Sequence, residues 1–348
     1  MKKKLLISLV ILLVVLTLIS CGDFKHEHTW IEATCTTPKT CSICNKTEGD
    51  PLEHTRIDLQ WVYTKYPTFT ETGKANLICN ECDIIIEQKE LPFASQGLKY
   101  MKVPLNEITR DEADMDVFGY LVFGQGTCTD DVIVIPEEYE GLPVWGIGFI
   151  LPTANFSDCK FSDTVVEIIL PKTTKMIGGT LRGLDSLEEV IIPEGVEHIG
   201  MFAFNDCTSL KTILIPDSVV HMDEVNGAFY GCSSLSLFKI GSGITSLGNV
   251  FGKCSSLTSV VVPENVTELS ATFQDCSNLT SVTLNNTLER IGARTFYNCT
   301  QLTNITFEGT IEEWNAIEKV KNWGGNTGDY MIYCTDGTIA KDGTITYK

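Results

Sequence analysis

Positive charge is scarce in this chain of 348 residues. Lysine and arginine total 26 against 45 aspartates and glutamates, a formal net charge of −19. Phosphate backbones are bound by clustered cations, so nucleic acid is a poor partner for such a chain. Catalytic signatures are missing as well. There is no Gly-x-Ser-x-Gly, no His-Glu-x-x-His and no phosphate loop, and only five histidines in all. Acidic residues are abundant but scattered. The sequence therefore predicts no enzyme. Apolar runs of membrane-spanning length are also lacking. The longest, Leu5 to Leu18, falls short of the roughly 20 residues a spanning helix needs.

What is present in quantity is a period. Cys207, Cys232, Cys254, Cys276 and Cys299 recur with a leucine three residues later, at Leu210, Leu235, Leu257, Leu279 and Leu302. A period of 22 to 25 residues means one small unit repeated and stacked. In one unit the apolar positions are Leu257, Val260, Val262, Val266, Leu269, Phe273 and Cys276. Leu-x-x-Val-x-Val opens the unit as a one-faced strand, and Pro263 stops it for want of an N–H. No unit closes a core alone. Burial of about seven apolar side chains, each worth roughly 1.5–3 kcal/mol, is offset by about 1.5 kcal/mol of entropy per ordered residue. Stability therefore requires neighbours and caps.

The motif Leu-x-x-Val-x-Ile-Pro-x-x-Val-x-x-Ile-Gly-x-x-Ala-Phe-x-x-Cys is clearest at 187–207. It resembles the leucine-rich repeat family in its treponemal, BspA-like subclass of bacterial surface proteins, over about residues 95–348. The resemblance implies a mainly β, right-handed solenoid with a short strand per coil. Departures are Leu184 in place of a cysteine, Gly241 and Asn285 in place of the proline, and an insertion at Asp223–Asn226. The repeat cysteines read as a ladder of buried free thiols, although coils about 4.8 Å apart would also bring some pairs to disulfide distance.

The N-terminus carries delivery information. Three lysines precede the apolar run, the layout of an export signal, and Leu18-Ile19-Ser20-Cys21 resembles a bacterial lipobox. The resemblance implies cleavage before Cys21 and lipid on that residue, anchoring the chain to the outer face of a membrane. The alternative is an uncleaved anchor helix.

Residues 28–92 read as a separate His/Cys-rich module in two copies. Trp30 matches Trp61, Cys35 matches Phe69, and Cys41-x-x-Cys44 matches Cys79-x-x-Cys82. The stretch resembles tandem repeats found beside BspA-like repeats in clostridial surface proteins. A C-x-x-C turn presents two thiolates to one tetrahedral ion. Copy one offers Cys35, Cys41, Cys44 and His54, with His28 in reserve. Copy two offers Cys79 and Cys82, and pooling both pairs is the alternative. Structural zinc is the expected staple; disulfides are the other reading, which export would permit.

The organisation expected is a signal peptide (1–20), a lipid attachment and tether (21–27), the His/Cys module (28–92), an entry cap (93–130), leucine-rich repeats (131–309) and an exit cap (310–348). Thr310-Ile-Glu-Glu313 is a capping box, and Trp314, Ile317 and Val320 share one face of the helix it starts. Asp342-Gly343 reads as the turn of a hairpin. Outward positions on the strands form a column, Ile169, Ile191, Leu214, Lys239, Val261, Thr283 and Thr306. Ile169, Ile191, Leu214 and Val261 make it an apolar stripe on which a partner, or the chain's own insertion, could pack; the bland reading is plain β-propensity. By resemblance the function is adhesin-like binding of an extracellular protein or cell-wall component, on the surface of a Gram-positive bacterium. The alternatives are a spacer or surface-layer component without a specific ligand and, further off, an enzyme accessory subunit. Oligomeric state is not readable.

Overall fold

The computed structural model describes residues 30–31, 33–35, 37–42, 46–48, 50–51, 59–109, 114–148, 160–223 and 227–348. Cys21, Cys44, His54, His28 and Cys159 lie outside the described residues. The chain divides into two compact units. One holds the described residues up to Val62 together with Asn76–Lys89; the other holds Tyr63–Ala75 and Glu90–Lys348.

The second unit is a β-solenoid. Its opening strands pair in parallel and in register from coil to coil. Val132–Val134, Glu167–Ile169 and Glu189–Ile191 form one ladder. Thr212–Ile215 pairs with Leu237–Ile240. Ser259–Val261, Ser281–Leu284, Asn304–Phe307 and Met331–Cys334 form the last. In each coil the apolar residues at positions 1, 4 and 6 turn inward. Leu257, Val260 and Val262 are all buried, while Val261 between the last two is 67% exposed. That alternation is the strand's two-residue period.

A second, two-residue strand per coil adds to the single strand the sequence suggests. Met176–Ile177, His198–Ile199 and His221–Met222 pair in parallel, as do Ser246–Leu247, Glu268–Leu269, Arg290–Ile291 and Glu318–Lys319. One residue of most of these pairs enters the core. The register shows that Met176, not Lys175, is the counterpart of His198. Met176 is buried outside the main core, in a cluster with Val103, Ile108, Leu121 and Trp145. This cluster belongs to the entry end, where Lys99–Pro104 pairs antiparallel with Phe118–Gly124 and a short helix spans Asn106–Thr109.

Two stacks run along the core. Phe204, Phe229, Phe251, Phe273 and Phe296 lie face to face with centroids 5.1 to 6.0 Å apart. Beside them the repeat thiols are fully buried and unpaired by disulfides. Each thiol donates to a carbonyl of the preceding coil: Cys207 to Leu181, Cys232 to Phe204, Cys254 to Phe229, Cys276 to Phe251 and Cys299 to Phe273, at 3.1–3.3 Å. The cysteine column therefore gives these buried carbonyls a partner in the next coil, and those of Phe204, Phe229, Phe251 and Phe273 also accept the N–H of their own coil's cysteine. The residue before each cysteine adopts a left-handed conformation, at Asp206, Gly231, Lys253, Asp275 and Asn298. There its N–H reaches the next coil, as from Asp275 to Tyr297 O at 2.8 Å.

Asn285 takes over from the missing proline by a different device. Its fully buried side chain donates to the carbonyls of Pro263 and Val266 in the preceding coil. At the exit, the capping box forms: Thr310 Oγ1 accepts from the Glu313 N–H, and Glu313 Oε2 accepts from the Thr310 N–H. The helix spans Ile311–Ala316, so Trp314 and Ile317 are buried but Val320 lies beyond its end, half-buried. Gly337–Ala340 pairs antiparallel with both Met331–Cys334 and Ile345–Tyr347, so the hairpin at Asp342-Gly343 is the second arm of a three-stranded meander.

In the first unit, the strands Trp30–Ile31, Lys39–Cys41 and Thr47–Glu48 form an antiparallel sheet. A further three-stranded sheet is built from Leu59–Lys65, Gly73–Cys79 and Ile85–Leu91, in that order.

Candidate functional sites

Two places collect the residues that the sequence singles out: the outward strand face of the solenoid and the cysteine turns of the first unit.

On the strand face the expected column is interrupted at its start. Ile169 is fully buried, which corrects its assignment to an open stripe. It does point away from the main core, to which its neighbours Ile168 and Leu170 belong and it does not. Its surroundings come from earlier in the chain. Tyr66 Oη donates to the carbonyls of Ile169 and Ile135 at 3.4 and 3.3 Å. Tyr63 stacks edge-on against Tyr66 with centroids 5.2 Å apart. Burial, then the nearby Glu167 and Glu189 carboxylates, push the Tyr63 hydroxyl well above its ordinary range. Ser95 runs beside the first strand, its N–H donating to Val134 O and its Oγ accepting from the Val134 N–H. The first coils thus carry Tyr66 and Ser95, from earlier in the chain, on their outer face.

Beyond this cover the face opens. Ile191 and Leu214 are half-buried, Lys239 and Val261 exposed, Thr283 and Thr306 half-buried, and Tyr333 is 44% exposed in register with Thr306. The adjoining outward column adds the half-buried Thr212, Leu237, Ser281, Asn304 and Met331, together with the exposed Ser259. Leu237 and Tyr333 went unread in the sequence. Leu237 sits two residues before Lys239 on the same face, and period-two counting alone would have found it. From Thr212 onward this face carries one charge, Lys239, in a strongly acidic chain. Covering it desolvates hydroxyls and aliphatic groups rather than ions, which is the inexpensive kind of surface to bury.

The two copies of the His/Cys-rich stretch use matching turns. Thr34 N–H donates to Thr37 O, and Thr68 N–H donates to Glu71 O, both at 2.8 Å. Cys35 and Phe69 occupy the same place in these turns. Cys41 N–H donates to Lys46 O and Cys79 N–H to Ile84 O, closing the two C-x-x-C turns alike. The second turn tightens further through Asp83, whose left-handed backbone returns its N–H to Cys79 O at 2.8 Å.

The thiols themselves assort across the copies. Cys35, Cys79 and Cys82 gather with their sulfurs all within 4.8 Å of one another. Cys41, although fully buried, is not among them. Among the described residues, Cys35 therefore gathers with Cys79 and Cys82 rather than with Cys41. Hydrogen bonding from Cys82, with burial and Cys79 adding to it, pushes the Cys35 thiol up to about 12. Burial works the same way on Cys79, but the backbone N–H of Glu81 and donors from Cys82 and Cys35 outweigh it and lower that thiol below its ordinary value.

Residues 151–272 and 270–317 match the BspA type leucine rich repeat region, in six copies. No curated protein matches. Among solved structures, a leucine rich cell surface protein from Faecalibacterium prausnitzii is 24% identical over 54% of this chain and 62% of its own, with a TM-score of 0.37. The match thus spans less than two thirds of that protein's length. The leucine rich repeat protein of T. pallidum is 25% identical over 61% of this chain and 83% of its own, TM-score 0.41. A leucine-rich repeat protein from Bacteroides ovatus is 21% identical over 62% and 67%, TM-score 0.42. Among the described residues no helix is long and apolar enough to cross a membrane.

Proposed function

We propose that this is a bacterial cell-surface protein, lipid-anchored through Cys21, whose strand face binds an extracellular protein. The observation that carries the reading is the outward face beyond Ile169. There Ile191, Leu214 and Val261 stand outward on parallel strands, and from Thr212 onward Lys239 is the one charge on the face. A spacer needs only a solvated surface, whereas these aliphatic groups on a rigid backbone are suited to being covered. The chain's own Tyr63–Tyr66 segment illustrates the mode of cover, with aromatic rings over the face and a hydroxyl reaching strand carbonyls. Surface delivery is supported by the lysine-led apolar run and the lipobox-like Leu18-Ile19-Ser20-Cys21. The role is binding rather than catalysis.

The test is retention of cells displaying the chain on surfaces coated with extracellular-matrix or cell-surface proteins. Ile191→Asp and Leu214→Asp should each lower retention by about tenfold or more, equivalent to at least 1.4 kcal/mol, with little change in thermal unfolding. In the same cells Cys21→Ala should release the chain into the medium. Retention that survives both aspartates, or that is equal on protease-stripped surfaces, overturns the binding reading. A Cys21→Ala chain that stays with the membrane overturns the lipid anchor.

A further inference from the structure

We propose that Cys35, Cys79 and Cys82 form a three-thiolate site for a thiophilic d10 cation, zinc above all, which ties the two copies of the N-terminal module together. The distances carry the inference. Two sulfurs on one tetrahedral zinc, with bonds of about 2.3 Å, stand about 3.8 Å apart. Cys35 Sγ and Cys79 Sγ are 3.7 Å apart, and the third sulfur needs to close by no more than about 1 Å from the outer limit of 4.8 Å. A disulfide would need about 2.05 Å, a far larger displacement.

The backbone is arranged for the same end. The Cys79–Cys82 turn is closed by the bonds from Cys79 N–H to Ile84 O and from Asp83 N–H to Cys79 O, and the N–H groups of Glu81 and Cys82 address the Cys79 sulfur. Donors of this kind hold a coordinating thiolate in place as an outer shell. The second copy carries Phe69 where the first has a cysteine, and Cys35 of the first copy supplies the third sulfur beside Cys79 and Cys82. Need points the same way. The buried core here is Leu59, Leu77 and Cys79, with Cys35, Cys82 and Trp61 packed against it. A core of that size calls for a staple. Binding would release the thiol protons to solvent and form three metal–sulfur bonds, with no electron transferred. Five repeat thiols elsewhere do not compete, because each is fully buried and already donates to a carbonyl.

The experiment uses the full chain, reduced and freed of reductant, titrated with cobalt(II) and then zinc(II). One cobalt per chain is expected, with sulfur-to-cobalt charge-transfer absorption that zinc abolishes. Cys35→Ser, Cys79→Ser and Cys82→Ser should each remove that one-to-one uptake, and Cys41→Ser should keep it. Because a variant could fail to fold, the parent chain supplies a second reading. Bound zinc should protect Cys35, Cys79 and Cys82 together from alkylation, and a chelator should expose all three. No uptake by the reduced chain, uptake that survives Cys35→Ser, loss of uptake in Cys41→Ser, or a disulfide within the trio in the unreduced chain would each overturn the proposal.

Discussion

Phe251 stands at the middle of the phenylalanine stack, and its truncation is the sharpest probe of how the solenoid is held together. The ring is fully buried and lies 5.7 Å from Phe229, 6.0 Å from Phe273 and 4.3 Å from Phe238, centroid to centroid. Phe204, equally buried, opens the stack and has one ring neighbour in it, Phe229 at 5.1 Å. Removing a buried phenylalanine side chain costs about 3–5 kcal/mol. Aromatic pairs contribute roughly 0.5–1.5 kcal/mol each beyond their area. Phe204→Ala should therefore fall near the low end, about 3 kcal/mol, and Phe251→Ala about 1–3 kcal/mol higher, for its two extra ring neighbours. Each coil contacts only its neighbours, so a defect at mid-stack also uncouples the two ends. Trp145 reports the entry end, and Trp314 and Trp323 the exit. Urea unfolding of the Phe251→Ala chain, followed in variants that keep tryptophan at one end only, should give two separated transitions where the parent gives one. A cost for Phe251→Ala equal to or below that for Phe204→Ala, with coincident transitions, would refute the nearest-neighbour account.

Two further outcomes follow from the same contacts. Burial pushes the thiols of Cys207 and Cys299 up to about 12 and raises those of Cys232, Cys254 and Cys276 well above the ordinary value of 9.0. A group held protonated by folding stabilises the native chain fully below its unfolded pKa, and that contribution is lost as pH rises toward the folded value. Stability should hold up to about pH 9 and then fall by about 1.4 kcal/mol per pH unit for each thiol. Cys254→Ala should make the fall shallower by one such increment, and unfolding midpoints that match the parent's slope would exclude the ladder as its source. At the exit, Thr310→Ala removes the acceptor for the Glu313 N–H and should cost about 1 kcal/mol, seen as earlier loss of the Trp314 signal; an unchanged midpoint would mean the meander alone secures the last coil.

The outline of the solenoid was legible because a repeat states its own periodicity many times. Leu257, Val260, Val262, Val266, Leu269, Phe273 and Cys276 were readable as core from spacing alone, and all are buried. The capping box at Thr310 was readable because it depends on residues three apart. The two-residue strands at His198 or Glu268 were not, since such bridges exist only once coils are stacked in register. The cysteine sites were legible as residue types but not as a grouping. Sequence proximity paired Cys35 with Cys41, while the fold carried Cys35 to Cys79, 44 positions away.

What the sequence determined by itself, then, is the coil: its length, its inward residues, its buried thiols and its need for neighbours, all set by local periodicity and by burial. What only the tertiary structure decided is which surfaces remain open and which thiols meet. Ile169 is covered and Val261 is not, although both occupy the same column, because the Tyr63–Ala75 segment returns to the first coils and not to the later ones. Contacts between residues far apart in the chain depend on where loops and insertions travel, and no short-range pattern records that path.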